Sequence, residues 1–165
     1  MLTRVVLVAT LALTVLAIAD VARRDELGPR TTAWYLILFT VLFAVRVAGQ
    51  VFVALRAPAW LPPMGKWNLI PYRVLLPIQL VFVAVMVAIP GLLARGEGAV
   101  AEPHRPFGAF LIGLSALYAG SMVVRYAVRM RRRPEERWFG GAIPIVFHLV
   151  LAAFVFTWGS YNAQG

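Results

Sequence analysis

The chain has 165 residues, 61% of them hydrophobic, with a mean hydropathy of +0.80, no cysteine and a formal charge of +9. That composition lies outside the range of soluble domains and points to a membrane protein. The lack of thiols excludes disulfides, thiolate metal sites and thiol redox chemistry. The positive charge gathers at the ends of apolar runs, which reads as membrane topology and contact with membrane lipids rather than binding of nucleic acid.

The apolar blocks have helix length and lack the alternation of barrel strands. The predicted fold class is therefore an all-α integral membrane protein: one domain over residues 1–165, a bundle of five transmembrane helices. Spans are predicted at about residues 4–20, 31–55, 74–93, 107–128 and 140–161, against the roughly 20 apolar residues that a bilayer requires.

The first run follows Arg4 and ends Ala17-Ile18-Ala19-Asp20, which fits either a first span or a cleaved secretory signal peptide. The span reading completes a compact set with the four later runs. The second run opens on Trp34 and Tyr35, suited to the headgroup boundary, holds Arg46 and Gln50, and closes at Arg56. Residues 57–73 carry four prolines among Trp60, Trp67 and Tyr72, so a regular helix is not expected there. A collar on the membrane surface and an ordinary proline-rich connector both fit that segment.

Pro58-Ala-Trp60-Leu-Pro62-Pro63 resembles the P-x-W-x-P-P string of the translocator protein family, whose members are also small five-helix membrane proteins. In that family the string follows the first span, whereas here it follows the second, so no residue role is carried over.

The third run contains Pro77, Gln79 and a Pro90-Gly91 pair expected to close it. In the fourth, Ala109, Gly113, Ala116 and Gly120 share one helical face and form the expected helix-packing seam, since small residues let backbones approach in membranes. A basic loop from Arg129 to Arg137 follows. The fifth run begins at Gly140-Gly141 and carries His148 before closing on Trp158 and Tyr161.

With five spans, Arg4, Arg56, Lys66, Arg73, Arg125, Arg129, Arg131, Arg132, Arg133 and Arg137 share one side. Only Arg23, Arg24, Arg30, Arg95 and Arg105 lie on the other, so the positive-inside rule predicts the N-terminus inside and the C-terminus outside. A bacterial inner membrane is the expected location.

Taking arginines as markers of the inner surface, a rise of about 1.5 Å per residue puts Arg46 about 15 Å deep and Gln50 about 9 Å deep. Gln79 falls level with Gln50, while Ser121 and His148 come out level with each other at about 12 Å. The predicted ligand-binding set is thus Arg46, Gln50, Gln79, Ser121 and His148, in one layer of the inner-leaflet half. No Asp or Glu lies in any apolar run, and an ionised group at such depth asks for a reason. One reading is structural, with Arg46 bonding the glutamines and backbone carbonyls to lock the bundle. The functional reading is a pocket for an amphipathic anionic or carbonyl-bearing ligand, lipid or quinone-like, because a guanidinium offers five donors.

Two alternatives stand beside that pocket. One is an accessory or anchor subunit of a membrane complex, with a membrane protein partner or a second copy against the fourth helix; the other is an enzyme acting on a lipid. Haem held by two histidines would need a second one at membrane depth, and His104 lies in a loop on the opposite side. Metal chemistry would need several His or carboxylate ligands. Neither a metal nor any other cofactor is expected, and His148 is the one candidate general base.

Overall fold

A computed structural model describes residues 2–56, 71–132 and 142–165. Among these the chain forms five helices, α1 (Leu2–Arg23), α2 (Pro29–Arg56), α3 (Tyr72–Arg95), α4 (Arg105–Arg132) and α5 (Ala142–Asn162). Each is long and apolar enough to cross a membrane, and no strand occurs among the described residues. Residues 57–70 of the predicted collar with the string at 58–63, the basic loop beyond Arg132 and Gly140-Gly141 lie outside them, while Tyr72 and Arg73, expected outside any regular helix, open α3. Most helices run past their predicted limits. Backbone hydrogen bonding continues into charged flanks, whereas hydropathy falls at the first arginine.

Pro90 does not close α3. The helix continues to Arg95 and ends at Gly96, whose φ of 68° lets its N–H and that of Glu97 return to the carbonyls of Leu93 and Leu92. A proline inside a helix removes the bond to the carbonyl four residues back, here that of Met86. The hydroxyl of Thr40 on α2 fills the vacancy, 2.8 Å from Met86 O while also 2.7 Å from its own Leu36 O. A neighbouring helix therefore satisfies the acceptor that Pro90 leaves open, as packed membrane helices allow. Pro144 is the third residue of α5, where an N–H has no intrahelical acceptor to lose, whereas Pro77, like Pro90, lies inside α3.

α5 is the hub: α4, α2 and α1 pack on it, while α3 packs on α2. α1 buries Leu7, Thr10, Thr14, Ala17 and Val21, a three-and-four spacing that defines one face. Thr14 donates to Thr10 O at 2.7 Å, so its hydroxyl enters the seam already satisfied. α2 buries Leu36, Phe39, Thr40, Phe43, Arg46, Val47, Gln50 and Val53 along a comparable stripe. The guanidinium and the first glutamine thus occupy core positions of their helix.

The small-residue expectation for α4 is corrected within the chain. Ala109, Gly113, Ala116 and Gly120 are all exposed, and a Cβ built on Gly113 or Gly120 meets nothing within 4 Å. α4 instead meets α5 through Gly108, Leu111, Ser115 and Met122. A Cβ on Gly108 would stand 2.3 Å from Ala163 N, and one on Gly159 would stand 3.0 Å from Ile112 N. Ser115 donates across the seam to Ala152 O at 2.9 Å.

At the C-terminal end of the bundle, side chains tie the connections to one another. Leu27 N–H donates to Gln164 Oε1 at 2.9 Å, Tyr161 donates to Ala101 O at 2.5 Å, and His104 N–H reaches Asn162 Oδ1 at 3.4 Å. His104 Nδ1 accepts from Phe107 N–H at 3.3 Å, closing the first turn of α4. Asp20 accepts from Tyr35 on α2 and from Arg24 at 2.8 Å. That carboxylate raises the pKa of the Arg24 guanidinium and holds it charged.

Candidate functional site

Arg46 and Gln50, four residues apart, lie on one face of α2, and because that face is the buried one they point into the bundle rather than away from it. Arg46 is 5% exposed, Gln50 fully buried and Gln79 3% exposed. Gln79 Nε2 donates to Gln50 Oε1 at 2.8 Å, joining α3 to α2 and bringing together the two amides that were expected at one level. Gln79 Oε1 is buried and accepts no hydrogen bond among the described residues.

The Arg46 guanidinium carbon stands 5.9 Å from the ring centre of Phe43 and 5.6 Å from that of Phe147 on α5. Both distances are within reach of a cation–π attraction, which strengthens when the cation is desolvated. His148 follows Phe147 in the chain and its ring lies 5.8 Å from that of Tyr118 on α4, tilted by 48°. Arg46 is within electrostatic range of both Tyr118 and His148, as is Arg125 on α4. Four helices therefore contribute to one polar layer: α2 a cation and an amide, α3 an amide, α4 a phenol, α5 an imidazole.

Ser121 is not part of that layer. It is exposed, and its hydroxyl donates to Tyr118 O on its own helix at 2.7 Å. An expected depth along α4 says nothing of the position around it. Tyr118, three residues earlier, takes the position instead. It follows Ser115 by three and precedes Met122 by four, on the face that α4 turns to α5, which only the packing of the two helices reveals. Thr40 is a second residue that polarity at depth did not mark, because a threonine can satisfy itself on its own helix.

Among the described residues no three His, Asp or Glu side chains converge in a way that could hold a metal ion. What the layer offers chemically is recognition: a desolvated guanidinium, amide groups and a phenol suit phosphate, carboxylate or carbonyl oxygen. The chain matches no protein-family model, no curated protein and no solved structure.

Proposed function

We propose that this protein lies in a membrane, a bacterial inner membrane with its N-terminus inside, and that the layer around Arg46, Gln50, Gln79 and His148 binds an amphipathic anionic or carbonyl-bearing ligand. Tyr118 joins that set, and Ser121 leaves it. The observation that carries the reading is the place of Arg46: a guanidinium at a core position, surrounded among the described residues by aromatic rings and neutral polar groups. No acidic residue lies in the predicted spans of α2 to α5, and a guanidinium pairs well with a ligand that carries negative charge or carbonyl oxygens.

The test is thermal unfolding of the purified chain in detergent with decylubiquinone or, as a control, phosphatidylcholine added separately. The quinone should raise the Tm of the wild type, by about 2.7 kcal/mol of stability at a hundredfold excess over Kd, and should leave Arg46→Gln unmoved. An Arg46→Gln chain that is destabilised without ligand but keeps the full ligand response supports the locking role instead. The Gln50–Gln79 bond favours that second reading, since it would hold α2 to α3 with no ligand present.

A further inference from the structure

On the other flank of α4 the structure holds a cleft of about 210 Å³ between α1, α4 and α5, lined by Leu7, Val8 and Leu11, by Val123 and Tyr126, and by the α5 face from Ala142 to Leu149. α1 and α4 each pack on α5 far more extensively than on each other, so the cleft is the gap between them with α5 as its floor. Its wall is hydrocarbon except for Tyr126. Water is stable in a cavity only with two to four polar partners, so this cleft is not a water site. It runs along α5 for seven residues, about 10 Å at 1.5 Å per residue, parallel to the helices.

Charge identifies what fills it. The cleft lies at the end of the bundle where α1 begins, α4 ends and α5 begins. There Arg4 precedes Leu7 by one turn on one wall, and Arg129 follows Tyr126 by one turn on the other. Adding Arg56, Arg73, Arg125, Arg131 and Arg132, the helices bring seven arginines to this end and no acidic residue among the described ones. An apolar slot that points along the helices and opens on a surplus of positive charge has the two chemistries of an anionic phospholipid.

We propose that one acyl chain of an anionic phospholipid occupies this cleft, with its phosphate at the arginine-rich end. The site is separate from the Arg46 layer: Val123 and Tyr126 face α1, whereas Tyr118 faces His148.

The full chain, extracted in mild detergent, is incubated with phosphatidylglycerol and phosphatidylcholine of matched acyl chains and examined by native mass spectrometry. One phosphatidylglycerol should be retained per chain, favoured about tenfold or more over phosphatidylcholine. No retained lipid, or equal retention of the two, overturns the proposal. Val123→Trp, at an exposed wall position, should fill the cleft and cut retention about tenfold with helicity and elution unchanged. Should that variant not fold, Val8→Phe on the opposite wall makes the same test. Wild-type retention in a folded, filled variant overturns the proposal, as does a dimer that the filling dissociates, since a second copy would then be the occupant. Arg46→Gln should keep the lipid; if the lipid is lost there, it sits in the Arg46 layer and the cleft is not its site.

Discussion

The two ends of the bundle are built on different principles. At the C-terminal end Arg23, Arg24, Arg30, Arg95 and Arg105 face Asp20, Asp25, Glu26, Glu97 and Glu102, so charge is balanced. Connections are cross-tied through Gln164, Tyr161 and Asn162, and α4 meets α5 at backbone contact at Gly108. At the opposite end the described residues include seven arginines and no carboxylate, and beneath them lie the Gln50–Gln79 bond, the Arg46 layer and an apolar cleft. The first end is made to stay closed. The second holds buried polar groups and an open cleft, and both proposed ligands are placed there. Low local stability and binding tend to go together.

Substitutions can break this contrast, beginning with the strongest. Gly108→Val should cost about 3 kcal/mol or more, since overpacking where backbone is the obstacle cannot be relieved by a rotamer. Thermal unfolding in detergent would report it, and a stable Gly108→Val chain would mean that the α4–α5 seam is looser than described. Gln79→Leu should cost about 1–2 kcal/mol by leaving Gln50 Oε1 buried without its donor. The double variant with Gln50→Leu should cost less than the two single changes added together, and strict additivity would deny that the amides act as a pair.

Thr40→Val should cost about 1 kcal/mol, as hydrogen bonds between membrane helices do. Pro90→Ala restores the backbone donor to Met86 O, so the threonine change should be nearly silent in that background; an unchanged cost would break the link between the two residues. Gln164→Ala should cost only a few tenths of a kcal/mol to about 1 kcal/mol, read as faster hydrogen exchange at Leu27 with the Arg46 layer unaltered. Ser121→Ala should change neither stability nor ligand response, and a loss of response would return this residue to the site.

How much of this was legible in the sequence depends on which helical coordinate is asked for. Position along each helix was legible. Arginines at helix ends act as depth marks, and they brought Gln50 and Gln79 to one level, where the structure bonds them. Position around each helix was not. Ala109 and Gly108 each begin a small or tolerant stripe on α4, offset by a single residue, and only the partner decides which stripe is buried. Ser121 and Tyr118 differ in the same coordinate. Pro90 shows a third limit, because whether a proline ends a helix depends on a donor from another helix, and Thr40 is fifty residues away in the chain.

The glycines of α4 carry one more consequence. If every codon of that helix were randomised and folded variants recovered, Gly108 should return almost only as glycine, whereas Gly113 and Gly120 should accept alanine, serine or leucine, because a side chain there enters open space. Alanine in place of glycine also favours a helix interior, so those two sites should be enriched for it. The same amino acid would thus mark an immovable contact in one turn and a free surface in the next.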